Sequence, residues 1–339
     1  MPRTTLKNIA QAAGLSTTTV SLVLNDKPHH ISKKKCQLVK DLAIKMNYRP
    51  NRLAVGLIKK QSKNIGLIVP DISNAFFAEM TKGVEDIVRS NKYNLLLCNS
   101  NGRNNLELEC INMLADSSVD GLIITMSPES FGAKEQLSLN ALKSLGLHAV
   151  IVDSFNEINQ FSTVSIDNFQ AACSAVEYLI SLGHKRIACI TGPIGPKTTE
   201  NRLNGYKYSL KKHNISYNEN MVFHGDYHYQ SGYDAVAVLL ANKPTAIFCL
   251  NDQMAYGAVK ALKKQGLRVP DDISVIGFDN IFFSQMVEVP LSTVSQPIYK
   301  LGEKAAQILI TELTTKQKTQ HLVLEHTLKI RQSTAKINN

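Results

Sequence analysis

Residues 5–24, TLKNIAQAAGLSTTTVSLVL, read as two short helices joined by a tight turn. Thr5 is placed to cap a helix whose apolar positions Leu6, Ile9, Ala10 and Ala13 share one face. Gly14 permits a sharp turn, and Leu15 points back to the core. Ser16 or Thr17 caps the second helix, with Val20, Val23 and Leu24 turned inward. Two helices joined this way form the helix-turn-helix pattern, in which the start of the second helix meets base edges in the major groove. Thr17, Thr18, Ser21 and Leu22 then face outward. The hydroxyls can bond bases or phosphates, whereas Leu22 offers only apolar contact, such as with a thymine methyl. A third helix over 33–46 is expected to pack Leu38, Val39, Leu42 and Ala43 against the pair.

The charge of the chain is concentrated at the same end. Of the 339 residues, the first 62 hold twelve Lys or Arg against Asp26 and Asp41. That segment accounts for the whole net charge of +10, leaving the remainder neutral. Such asymmetry marks a polyanion-binding head on a neutral body, and phosphate neutralisation makes nucleic acid the expected partner.

Beyond residue 62 short apolar runs alternate with helical patterns. Strands are expected at 65–69, 94–98, 121–124, 149–152, 186–190, 245–249 and 274–278. Helices are expected at 76–90, 106–116, 168–182, 200–212, 231–241, 252–265 and 298–314. This interleaving predicts parallel sheets covered on both faces, arranged as two doubly wound lobes, with ligands bound beyond the carboxyl ends of the strands. Asn74, Phe76 and Phe77 follow the first strand, while Asp153, Asn251 and Asp279 sit at the ends of later ones. Arg202 lies near a helix start, Gln296 in the last crossover, and Asp252 reads as a helix cap. Carboxylates, amides and a guanidinium suit vicinal hydroxyls, and a phenyl ring can cover the apolar face of a sugar.

Other classes are disfavoured. No apolar run approaches the ~20 residues of a membrane span, and the polar, basic start has no secretory h-region, so a cytoplasmic protein is expected. Cys36, Cys98, Cys110, Cys173, Cys189 and Cys249 form no C-x-x-C pair and read as reduced thiols. The histidines lack metal-ligand or triad spacing, and no phosphate loop or nucleophile elbow occurs. Neither enzyme, metal nor cofactor is therefore expected. A transport receptor would lack the basic head.

The head residues 5–21, followed by NYRPNRLA at 47–54, resemble the lactose/galactose repressor family, and the resemblance continues in order along nearly the whole chain. Residues 16–21 are most similar to its purine and ribose repressors. The resemblance implies an all-α helix-turn-helix head on an α/β bilobal body like the periplasmic sugar-binding proteins, with two doubly wound parallel sheets. The implied divisions are a head at 1–50, a hinge at 51–62 and an effector and dimerisation body at 63–339. The body's N-lobe would span about 63–163 and 293–323, its C-lobe about 164–292 and 324–339, with crossings near Thr163, Ser292 and Leu324. Thr17, Thr18 and Leu22 would face bases, with Thr5, Ser16, Ser21, Asn25, Tyr48, Asn51 and Arg52 in the same interface. The hinge would be a short helix that orders on DNA and wedges Leu57 into the minor groove, where Gly56 weakens intrinsic helicity. Val55 stands where an arginine is common and Ile58 where the purine repressor has a lysine, which implies fewer groove contacts.

In sugar-binding relatives the positions matching Asn74, Phe76, Phe77, Asp153, Arg202, Asn251, Asp279 and Gln296 hold the ligand. Pro196 replaces an arginine of the purine repressor, which argues against a purine corepressor. Thr125 and Ser154 stand where ribose-type pockets carry Asn and Arg, which argues against ribose. A hexose, another pentose or a phosphorylated sugar stays open. The segment 325–339 lacks a tetramerising leucine heptad, so a dimer is expected. The expected function is repression of a carbohydrate-utilisation operon from a pseudo-palindromic operator, controlled by a small sugar-like effector. A body controlled by a partner protein is the alternative.

Overall fold

A computed structural model describes residues 4–25, 30–48, 61–131, 135–153, 160–315 and 318–337. The chain forms two compact units, Met1–Ser62 and Lys63–Asn339.

The first unit holds α1 (Leu6–Ala13), α2 (Thr17–Leu24) and α3 (Lys33–Lys45). Thr5 and Asn8 cap α1 reciprocally: the Thr5 hydroxyl accepts from the Asn8 amide at 3.3 Å, and Asn8 Oδ1 accepts from the Thr5 amide at 2.9 Å. Gly14 ends α1 in the left-handed region at φ 63°. Ser16 caps α2, accepting from the Thr19 amide at 3.1 Å. Ile9, Ala10, Val20, Val23 and Val39 form the buried centre. Leu38 departs from expectation and is 45% exposed. On α3 the inward stripe runs through Cys36, Val39, Leu42, Ala43 and Met46, and a neighbour of Val39 is rotated by about 100° away from it. Thr5→Ala should lower the stability of the α1 start by about 1 kcal/mol, read as faster amide exchange at Asn8; unchanged exchange would mean the box is not a working cap.

The second unit contains two six-stranded sheets. The N-lobe sheet comprises β1 (Asn64–Val69), β2 (Asn94–Asn99), β3 (Gly121–Ile124), β4 (Ala149–Val152), β5 (Ser162–Ile166) and β11 (His321–Leu324), ordered β11-β5-β4-β3-β1-β2. The C-lobe sheet comprises β6 (Ile187–Thr191), β7 (Val222–His224), β8 (Ala246–Cys249), β9 (Ser274–Asp279), β10 (Ser292–Ser295) and β12 (Thr327–Lys329), ordered β12-β10-β9-β8-β6-β7. Among the described residues every neighbouring pair is parallel except β10 with β12. The N-lobe sheet carries α4 (Ala75–Ser90), α5 (Asn104–Asp116), α6 (Glu135–Ser144) and α11 (Ile298–Thr314). The C-lobe carries α7 (Asn168–Ser181), α8 (Lys197–Lys212), α9 (Tyr229–Leu239) and α10 (Asp252–Lys264). Strands β3, β4, β6, β8 and β9 are buried throughout, as parallel strands between helical layers must be.

The chain crosses between sheets after β5, after β10 and after β11. The first two crossings lie beyond Thr163 and Ser292, because β5 still pairs with β4 and β10 still pairs with β9. Sequence patterning missed β5 and β10, along with β7, β11, β12 and α6. β5 reads STVSI and β10 reads STVS, polar runs that are nonetheless buried. Their hydroxyls find partners far along the chain. Ser162 bonds Glu312 and accepts from the Gln320 amide, and Ser292 meets Thr334.

Close backbone approach fixes the helices that start at strand ends. A methyl at Gly83 on α4 would lie 2.1 Å from the Tyr299 carbonyl oxygen, and one at Gly302 on α11 would lie 2.0 Å from that of Met80. In the C-lobe, Gly232 and Gly257 bring α9 and α10 together in the same way. The starts of α4 and α10 both open onto the same cleft.

Candidate functional site

That cleft is a cavity of about 310 Å³ lined from both lobes at the carboxyl ends of the strands. Asn74, Phe76, Phe77, Thr125, Asp153, Arg202, Asn251 and Asp279 all line it. Gln296 stands behind Asp279 and donates from Nε2 to its Oδ1 at 2.8 Å.

The N-lobe wall begins with Asn74, which caps α4 by accepting from the Phe76 amide at 3.0 Å. The next turn presents Phe76 and Phe77 edge to face, with ring centroids 5.1 Å apart. Thr125 follows β3 and is buried. Asp153 follows β4 in the left-handed region at φ 55°. Its Oδ1 is buried and has no hydrogen-bond partner. Burial pushes this carboxyl up to about 6, against the pull of the Arg202 guanidinium.

The C-lobe wall is organised around Arg202, in the second turn of α8 and 3% exposed. Its Nε donates to Asn168 Oδ1 and its Nη1 to the Leu250 carbonyl, each at 2.7 Å. The guanidinium lies 3.8 Å over the Phe278 ring, with Nη1 3.9 Å from Asp279 Oδ1. Asp279 ends β9 at φ 115°. Burial drives its carboxyl well above the ordinary range; Arg202 opposes this and Asp252 adds to it. Gln296 Oε1 is a second buried acceptor without a partner.

Asn251, rather than Asp252, caps α10, accepting from the Met254 amide at 2.9 Å. Its Nδ2 also donates to the Tyr227 carbonyl at 2.8 Å. Asp252 instead gathers the Ile281 amide at 3.0 Å and the Ser284 and Thr293 hydroxyls at 2.5 and 2.6 Å. It therefore braces the segment that carries Asp279.

Sequence reasoning missed Tyr227. This residue lines the cavity at φ 71°, bonds Thr199 Oγ1 through its hydroxyl at 2.7 Å, and packs on Gly192, where a methyl would meet the ring at 2.2 Å. A bulky residue in that backbone region is an outlier of the kind found at working sites. Tyr227 lies in the loop after the three-residue strand β7, too short for its alternation to show.

In the head, Thr17 and Thr18 are exposed at the first turn of α2, while Ser21 and Leu22 are half-buried. The Ser16 hydroxyl is engaged as a cap, Thr5 belongs to the α1 box, and Asn25 donates from Nδ2 to the Ser21 carbonyl at 2.8 Å. Tyr48 packs on the head core. Lys33, Lys34 and Lys35 are exposed on the first turn of α3, the positive end of its dipole. The fold gains nothing from cations there, whereas a bound polyanion would. Asn51, Arg52, Val55 and Leu57 lie outside the described residues, as does Ser154. Among the described residues no His, Cys, Asp or Glu group could hold a metal ion, and no helix is long and apolar enough to cross a membrane.

Comparison with known proteins assigns both units. Residues 5–51 match the bacterial regulatory proteins of the lacI family, and residues 176–334 match a periplasmic binding protein-like domain. The chain is 37% identical to catabolite control protein A of Priestia megaterium over 334 residues, 97% of this chain and 99% of that protein. It is 33% identical to the transcriptional repressor PurR of Vibrio atlanticus over 337 residues, 99% of each. A crystal structure of the lac repressor dimer bound to operator and the anti-inducer ONPF covers 98% of this chain and all of its own, at 26% identity and a TM-score of 0.88. The chain belongs to the lacI family of bacterial transcriptional regulators: it is a DNA-binding repressor with an effector-binding body, not an enzyme.

Proposed function

We propose that this repressor acts as a homodimer on a carbohydrate-utilisation operon and is controlled by a small sugar-like effector in the cleft between its lobes. The observation that carries this is the cleft itself. Buried Arg202 and Asp279 on the C-lobe wall, and Asp153 beside the Phe76–Phe77 pair on the N-lobe wall, converge on one cavity. Such a pairing of charged hydrogen-bonding groups with an aromatic face suits a sugar ring better than a flat apolar ligand. In this scheme Asn74, Thr125, Asn251 and Gln296 complete the effector site. A ligand that favours one angle between the lobes alters operator affinity, and the coupling is reciprocal.

Thr17, Thr18 and Leu22 are the proposed base-reading residues. Thr5, Ser16, Ser21, Asn25 and Tyr48 hold the reading helix to the backbone, and Asn51, Arg52 and Leu57 act in the hinge. Two heads on a dimer read the two halves of a pseudo-palindrome. The lac repressor neighbour, a dimer on operator, supports the same arrangement here. The 37% identity to catabolite control protein A keeps control of the body by a partner protein as the second scheme.

A fluorescence-anisotropy titration onto the palindrome upstream of the neighbouring operon, repeated with a panel of sugars, tests this. Specific binding that one sugar weakens is the expected result. Specific binding indifferent to every sugar favours the partner-protein scheme, and no specific binding removes that operon as the target. Leu22→Arg should move operator preference by about 1–3 kcal/mol at one base pair of each half-site; an unchanged preference would mean the helix register on DNA is misassigned.

A further inference from the structure

We infer that the effector is a polyol carrying no anionic group, so that phosphorylating the sugar destroys its fit. This rests on the sugar reading given above. Among the described residues the cavity wall presents the carboxylates of Asp71, Asp153, Asp226 and Asp279 against the single guanidinium of Arg202. That guanidinium donates to Asn168 and the Leu250 carbonyl, and its Nη1 lies 3.9 Å from Asp279 Oδ1. Asp252, directly behind, is a further buried carboxylate.

The fully buried side-chain atoms at the cleft that lack a partner are acceptors. Asp153 Oδ1 and, behind Asp279, Gln296 Oε1 are buried acceptors without a donor. Hydroxyl or ammonium groups of a ligand supply donors to Asp153, which lines the cavity; a phosphate or carboxylate supplies more acceptors and like charge in a poorly solvated site. Helix starts do not reverse the balance. One first-turn amide in each of α4 and α10 is answered by its own cap, Phe76 by Asn74 and Met254 by Asn251. The start of α8 has no side-chain cap, but its first turn carries Glu200. Burial raises both Asp153 and Asp279, and at Asp279 the neighbouring Asp252 and Asp153 add to it. Neutral and amino sugars share the required chemistry, and the experiment separates them.

The test is calorimetry on the full chain with matched sets: glucose, glucosamine and glucose 6-phosphate, then the corresponding sets for galactose and mannose. In the set holding the strongest binder, the 6-phosphate should bind at least about tenfold more weakly than its parent. A stronger amine than parent would identify an amino sugar, and equality of the two a neutral one; both outcomes support the inference. A phosphate ester that equals or exceeds its parent overturns it while leaving the sugar reading intact. Failure of every sugar to bind overturns the sugar reading and this inference with it. Asp153→Asn provides the electrostatic control. It should narrow the parent-to-phosphate ratio, and an unchanged ratio would show that this carboxylate does not exclude the anion.

Discussion

Arg202→Met is expected to destabilise the body by roughly 3–5 kcal/mol at pH 7, the cost of breaking a buried ion pair by removing one partner. Methionine fills much of the space, so lost packing is the minor part. The guanidinium is the cation whose charge acts on both Asp279 and Asp153, and it lies over the Phe278 ring. Its removal also strips donors from Asn168 Oδ1 and the Leu250 carbonyl. Arg202→Lys should recover only part of the loss, because a point ammonium cannot reproduce two directed bonds from a planar fork. Acid should reduce the penalty, since protonating the stranded carboxyls removes the charge that the arginine neutralised. Urea unfolding of the full chain at pH 7 and pH 5 measures both effects. A loss below about 1 kcal/mol, or one that grows in acid, would show that Arg202 is not the electrostatic centre of the cleft.

The same residue illustrates how far the sequence could be read. Arg202 followed an apolar strand and a Gly-Pro turn, and doubly wound sheets put ligand groups at such places. By that rule Asp153, Asn251 and Asp279 were legible as strand-end residues, and they do line one cavity. The head was legible because its information is local: Thr5, Gly14 and Ser16 mark helix ends within a few residues of one another. Long-range information was not legible. β5 and β10 look like loops until Glu312, Gln320 and Thr334 are seen to satisfy their hydroxyls. Asp252 looks like a cap until Ser284, Thr293 and the Ile281 amide gather on it. Tyr227 enters the site only because Gly192 leaves room for its ring. A residue whose role depends on partners tens of positions away leaves no periodicity to find.

Asp153→Asn should stabilise the ligand-free body at pH 7 and weaken its effector. The folded state holds this carboxyl at about 6, above the ordinary 3.8. Between those values the native chain binds more proton than the unfolded chain, so the contribution of Asp153 to stability falls as pH rises. The loss is complete once pH exceeds the folded value, and at ~1.4 kcal/mol per unit it amounts to roughly 2–3 kcal/mol. Asparagine carries no charge to desolvate and tolerates the left-handed backbone at this position. The variant should therefore gain most of that energy at pH 7 and almost none at pH 4. The wild-type slope should be reduced rather than abolished, because burial also raises Asp252, to about 6, and Asp279. Chemical denaturation at the two pH values reads the difference directly. A variant no more stable than the parent at pH 7, or equally favoured at both, would mean that Asp153 is solvated or paired in the free protein. A gain at pH 7 joined to a weaker effector would show a carboxylate kept at a cost to the fold because a ligand supplies its missing donors.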